Sequence, residues 1–303
     1  MDDVLTLAAL APAAAHVHGG RIFLERWSSL PGKTPPPPPL SFVAFADRVH
    51  AACWLLADAG VSSGDRVAIL AHASADTLAL CLAVPTLGAV LVQLNWRQPE
   101  STLTTMICRL GCSVLIGGRG FAAKARRLCT SERPINAETG ARSPTMHTLL
   151  LTDDAAALEP DSSPIELEVH VSCDTCHRRE GLTLPSVSPD AVAVIMFTSG
   201  TSALPKPVPL THRGLLWSCR AKAHAERSVF GLVGGADSSQ YPQEEASIGD
   251  RGWTEHRGTL AFLPIFHVIG FTNNFLHNLL AGVSCTLLHA AAPGMHTAQG
   301  THP

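Results

Sequence analysis

Four small hydroxyl side chains crowd one glycine in FTSGTSALPKPVPLTH, residues 197 to 212: Thr198, Ser199, Thr201 and Ser202 flank Gly200, and Lys206 stands between two prolines. Such a set suits an anion. Hydroxyls and backbone N–H groups donate to phosphate oxygens, glycine permits close approach, and a lysine adds positive charge. The Walker A spacing G-x-x-x-x-G-K-[ST] fails, because from Gly200 the second glycine is replaced by Pro205 and the magnesium-binding hydroxyl by Pro207. A different cluster lies at CDTCH, Cys173 to His177, which with His170 offers a C-x-x-C-H haem pattern or four zinc ligands. All four zinc candidates fall within eight residues, too crowded for a tetrahedral site, and no export signal accompanies the haem pattern. No metal site is expected.

The apolar pattern around these residues alternates strand and helix. SFVAFADRVHAACWLLADAG places Phe42, Phe45, Val49, Ala52 and Leu56 at helical spacing, with Ser41 as N-cap and Gly60 as stop. Then come a strand at DRVAIL, a helix starting near Ser74, a strand at AVLVQL, a helix ending at Gly111 and a strand at SVLIGG. This repetition implies βαβ crossovers, and so an α/β fold with a parallel sheet covered by helices. Residues 118–190 are irregular apart from a strand at LLLTD. AVAVIMF is expected to be a buried strand feeding the hydroxyl-rich turn, after which Thr211 caps a helix. The run TLAFLPIFHVIGF, a helix from about Asn274 and a strand near SCTLLH follow.

Length and composition set the frame. The 303 residues are 46% hydrophobic, enough for a sizeable core. A net charge of -3 without basic runs argues against nucleic-acid partners. Nine irregularly spaced cysteines fit free thiols in a reducing compartment. The N-terminus carries Asp2 and Asp3 where a secretory signal wants basic residues, and the apolar run Cys81 to Leu94 is too short to span a membrane. A soluble, cytoplasmic protein is expected. Its domains divide as 1–40, an N-terminal segment and Pro-rich connector before order begins; 41–290, the main domain, with an insertion near 221–257; and an irregular tail at 291–303.

Ten positions of the opening stretch (Thr198, Ser199, Gly200, Thr201, Ser202, Pro205, Lys206, Val208, Thr211 and His212) match the signature of the adenylate-forming, or AMP-binding, superfamily of acyl-CoA synthetases, luciferases and nonribosomal-peptide adenylation domains. The match extends beyond it. Residues 40–99, with the Gly-Asp-Arg-Val strand and the L-N-x-R turn at Leu94 to Arg97, and LPIFHVIGF at Leu263 to Phe271, resemble further segments of the same family in the same order. The layered parallel sheet and helices thus resemble the N-terminal part of an adenylate-forming enzyme, over about residues 40–290. Ala203 and Pro207 stand where that signature has glycine, and the Lys-Pro pair is similar to fungal, peptide-synthetase-like relatives.

The resemblance implies ATP-dependent activation of a carboxylic acid as acyl-adenylate, with magnesium, then thioester formation on CoA or a phosphopantetheine thiol. Thr198, Ser199, Gly200, Thr201, Ser202 and Lys206 would hold the phosphates, with Lys206 and His267 as catalytic groups. Phe266, His267 and Gly270 would line the acid's pocket. Partners would be a small carboxylic acid and a carrier protein or full-length homologue. The family's later aromatic-Gly-x-Thr-Glu motif is not located; Thr254-Glu255 precedes LPIFH and is assigned to the insertion. The chain is therefore expected to be a truncated, spliced or gene-model fragment that cannot complete adenylation alone. The other expectation is a catalytically inactive nucleotide-binding or partner-binding fragment.

Overall fold

The computed structural model describes residues 1, 3–27, 38–118, 120–130, 147–151, 166–169, 181–198, 204–234 and 258–288. In chain order the N-terminal part is α1 (Leu7–His18), β1 (Ile22–Trp27), β2 (Leu40–Ser41), α2 (Phe42–Asp58), β3 (Arg66–Leu70), α3 (Ala75–Thr86), β4 (Val90–Gln93), α4 (Glu100–Leu110), β5 (Val114–Gly117) and α5 (Ala122–Thr130). It continues through β6 (His147–Leu151), β7 (Glu166–Val169), β8 (Val192–Thr198), β9 (Lys206–Thr211), α6 (His212–Gly234) and β10 (Gly258–Ala261). The last described elements are α7 (Val268–Phe271), a π-helical turn (Thr272–Leu276), α8 (His277–Ala281) and β11 (Ser284–Leu288).

The main sheet has seven strands in the order β7-β6-β5-β3-β4-β8-β9. Every pairing in it is parallel except β8 with β9. After β3 the chain first adds β4 on one side and then crosses to add β5 on the other, so the direction of winding reverses beside β3. In open sheets of this kind the crevice outside the carboxyl ends of the strands is where ligands bind.

Strand alternation divides the core between two faces. Val67, Ile69 and Leu91 join the cluster containing α2 and α3, whereas Ala68, Leu70 and Val92 pack with Leu103, Met106 and Ile107 of α4 and Ala125 and Leu128 of α5. Helix α3 is buried along its whole length from Asp76 to Thr86, the condition of a helix that is apolar all round. Its run is core, and no helix among the described residues is long and apolar enough to cross a membrane. The Arg48 guanidinium pairs with Asp76 in the first turn of α3.

A smaller sheet, β10-β11-β1-β2, lies across the same helices. Phe23 of β1, Phe42 and Phe45 of α2 and Phe275 of the π-helical turn are all buried. The Phe23 ring lies 4.9 Å from Phe42, 4.8 Å from Phe45 and 6.5 Å from Phe275. Each such ring contributes about 2–3 kcal/mol by burial. The Ser41 and Ser74 side chains accept from Ala44 N and Thr77 N and cap α2 and α3, and Gly111, at φ 60°, closes α4 as expected.

Four expectations are corrected. Order does not begin after the prolines: α1 buries Leu7, Leu10, Ala11 and Ala14, and β1 sits between β11 and β2. The apolar N-terminus is thus a core helix. The stretch read as loop contains α5, whose narrow stripe of Ala125 and Leu128 is buried. The helical segment expected from Asn274 begins at Val268. Finally, Thr211 caps a helix as expected, but between the hydroxyl-rich turn and that helix a strand, β9, folds back on β8.

Candidate functional site

Strands β8 and β9 form a hairpin whose tip holds the hydroxyl-rich loop. The ladder pairs Val192 with Thr211 at the base and Thr198 with Lys206 at the open end. Residues directly opposite in an antiparallel pair carry their side chains on one face, Cβ atoms about 5 Å apart. Thr198 and Lys206 therefore carry their side chains on one face, both exposed, at the carboxyl end of the sheet. Ser199, Gly200, Thr201, Ser202 and Ala203 lie outside the described residues, as does the Cys173–His177 cluster. Pro207 and Pro209 fall on β9, the outermost strand, where a missing N–H leaves no ladder bond unmade.

The base of the hairpin is fixed by several bonds at once. Thr211 Oγ1 accepts from Gly214 N at 3.1 Å and caps α6. Arg213 forks onto Asp190 with bonds of 2.7 and 3.0 Å, which draws the Asp190 carboxyl below its ordinary range. His212 N donates to Ala191 O, and Arg213 N to Pro189 O. The His212 ring is buried, and its Nδ1 accepts from Leu7 N at 3.0 Å. Leu7 opens α1, whose N-cap Thr6 makes no side-chain bond, so a ring 205 residues away supplies the missing acceptor. Burial pulls His212 down from 6.5 to about 4, keeping the neutral, accepting form. Arg220 of α6 donates to Met1 O and Val4 O, so the first residues lie along α6.

The second predicted group comes to the same end of the molecule. His267 is exposed at the start of α7, and its carbonyl accepts from Phe271 N at 2.9 Å. Gly270 is required by close approach: a Cβ there would lie 2.3 Å from Pro264 O. Behind it is a small apolar cavity lined by residues including Ala73, Leu78, Leu263, Asn274 and Cys285. Phe266 meets the Trp96 ring edge-on at 6.0 Å, and Trp96 packs on His72 and Phe121 at 4.8 and 5.8 Å. These three rings follow strands β3, β4 and β5, at the reversal point, and sequence reasoning had not singled them out. Their only signal is position, just past the carboxyl end of a predicted strand.

The remaining polar groups hold helices together. His277 Nε2 lies 3.0 Å from Glu226 Oε2 and its Nδ1 3.2 Å from Cys219 O, which ties α8 to α6. The thiols of Cys53, Cys81, Cys219 and Cys285 are pushed up to about 12 by burial and stay protonated. Among the described residues no three His, Cys, Asp or Glu gather into a metal site.

A mixed α/β architecture of this kind is shared with known proteins. The AMP-binding enzyme family matches residues 37–299, and the chain belongs to it. It is 26% identical over 174 residues to the fumosorinone synthetase of Cordyceps fumosorosea, covering 57% of this chain and 4% of that protein. It is 31% identical over 166 residues to the malformin synthetase mlfA of Aspergillus niger, covering 55% of this chain and 3% of the relative. Among solved structures, the N-terminal domain of FACL13 from Mycobacterium tuberculosis superposes with a TM-score of 0.64 at 19% identity, covering 93% of this chain and 56% of that one. The luciferase-like enzyme of the mealworm Zophobas morio gives 0.66 at 15% identity, covering 95% and 55%. The chain thus spans only a few per cent of these synthetases and about half of these solved chains.

Proposed function

We propose that this chain binds ATP at the β8–β9 hairpin and serves the activation of a carboxylic acid as an acyl-adenylate, handed on to the thiol of CoA or of a carrier-borne phosphopantetheine. The observation that carries the reading is the pairing of Thr198 with Lys206 at the mouth of the hydroxyl-rich loop. In this reading Thr198 donates its hydroxyl to a phosphate oxygen and Lys206 offsets charge gathering on the departing pyrophosphate. Ser199, Gly200, Thr201 and Ser202 add hydroxyl and N–H donors. Such a step asks little covalent chemistry of the protein, so positioning and charge account for most of it.

His267 and Phe266 stand at the approach to the acid, and Gly270 lets α7 close against Pro264, which fixes where His267 projects. Magnesium enters this reading as the counter-ion of the nucleotide's phosphates, whose hard oxygens it prefers. A second reading, a catalytically inactive fragment that binds nucleotide or a partner, is favoured by the exposed apolar side chains Leu260, Phe262, Val268 and Ile269 around β10, the edge strand of the smaller sheet. Acid-dependent exchange of labelled pyrophosphate into ATP separates the two. Exchange supports activation, whereas nucleotide binding without exchange for any of a panel of carboxylic acids supports the second reading.

A further inference from the structure

We propose that Arg97 is a second cation of the polyphosphate site, held ready on the face of Trp96 on the opposite side of Thr198 from Lys206; the inference rests on the nucleotide reading above. Strands β4 and β8 are parallel neighbours in the register Leu91 with Val194 and Val92 with Ile195. Continued past Gln93, the last residue of β4, that register would bring Asn95 level with Thr198, which pairs with Lys206 on its other side. In the strand order β4-β8-β9, the turn carrying Arg97 follows the neighbour of β8 on one side and Lys206 opens its neighbour on the other, and β4 and β9 are two strand spacings, roughly 10 Å, apart. Both side chains are long enough to converge on one chain of phosphates.

The guanidinium is placed in advance. Its carbon lies 4.9 Å from the centroid of the Trp96 ring, an attractive cation–π arrangement that limits where the charge can wander. The ring itself is fixed by His72 and Phe121. Its backbone is fixed by Lys124, whose Nζ donates to the carbonyls of Trp96 and Gln98 at 3.0 and 2.9 Å. The Arg97 N–H donates to Asn95 Oδ1 at 3.0 Å, which tightens the turn. Through the edge contact of Trp96 with Phe266, the same platform reaches the residue beside His267.

Two other arginines are already committed. Arg127 forks onto Glu100 and Arg213 onto Asp190, whereas Arg97 is exposed and no carboxylate among the described residues pairs with it. A planar fork of donors, presented at the carboxyl end of a parallel sheet beside a lysine and a hydroxyl, matches the oxygens of a di- or triphosphate. Its ligand class is a polyphosphate, and the base or acyl group of the nucleotide is irrelevant to it.

The test titrates the intact chain and its Arg97→Gln, Arg97→Lys and Arg127→Gln variants with magnesium-ATP, AMP and inorganic tripolyphosphate by calorimetry, with tryptophan fluorescence followed in parallel. Arg97→Gln is expected to weaken ATP and tripolyphosphate about tenfold, the loss of one charge-assisted contact, and to leave AMP unchanged. Arg97→Lys should recover part of the affinity, and Arg127→Gln, the charge-matched control, should behave as the parent. If the parent binds ATP and Arg97→Gln binds it equally well, the inference is overturned while the nucleotide reading stands. Tripolyphosphate binding that depends on Arg97, in a chain that ignores ATP, would keep the inference and sink the nucleotide reading. A parent chain that binds neither ligand overturns both.

Discussion

Protonating one buried ring should loosen the signature hairpin from the N-terminal helix. His212 accepts the Leu7 N–H through Nδ1 and can do so only when that nitrogen carries no proton. Its ionisation is displaced from 6.5 to about 4 by burial. At roughly 1.4 kcal/mol for each tenfold change in proton affinity, the displacement corresponds to about 3 kcal/mol. The sign follows from proton counting. Between these values the unfolded chain binds a proton that the native chain does not, so His212's contribution is whole above about 6.5, shrinks as the pH falls, and is gone below about 4. At pH of about 4.5, most of it, about 2–3 kcal/mol, should be lost. Urea unfolding of the parent and of His212→Gln, at pH of about 7 and of about 4.5, reads the difference directly. The glutamine keeps an acceptor for Leu7 but does not titrate, so the parent should lose about 2–3 kcal/mol more than the variant. Equal losses in the two proteins would refute the reasoning.

Two further perturbations bear on the scaffold. Gly270→Ala forces a Cβ against Pro264 O at 2.3 Å, so thermal unfolding should show a loss of about 1–3 kcal/mol, with the His267 ring resonances shifted in NMR. Phe45→Ala removes a fully buried ring packed between Phe23 and Phe275 and should cost about 3–5 kcal/mol in denaturant unfolding.

Local chemistry carried much of the fold into the sequence. Ser41, Ser74 and Gly111 mark helix ends by their own side chains or backbone freedom, and the inner strands β3, β4 and β5, buried on both faces, stand out as apolar runs. What stayed hidden depends on distant residues. Helix α1 takes its first-turn acceptor from His212 and its neighbours from α2 and α3, so nothing near Leu7 announces it. Helix α5 buries only Ala125 and Leu128 among its charges. Strand β9 was obscured by Pro207 and Pro209, which argue against a strand everywhere except at an edge. For the site, motif spacing named Thr198 and Lys206 but not their antiparallel pairing, and it named His267 without the Trp96 platform that supports its neighbour Phe266.

The central claim is that the hairpin binds the phosphates of a nucleotide through Lys206 and its hydroxyl neighbours. Calorimetric titration of the parent chain and of Lys206→Gln with magnesium-ATP tests it most directly. The account predicts saturable binding to the parent, weakened about tenfold or more by the substitution, with both proteins equally folded by circular dichroism. Equal affinity in the two proteins, or no binding to the folded parent, would contradict it.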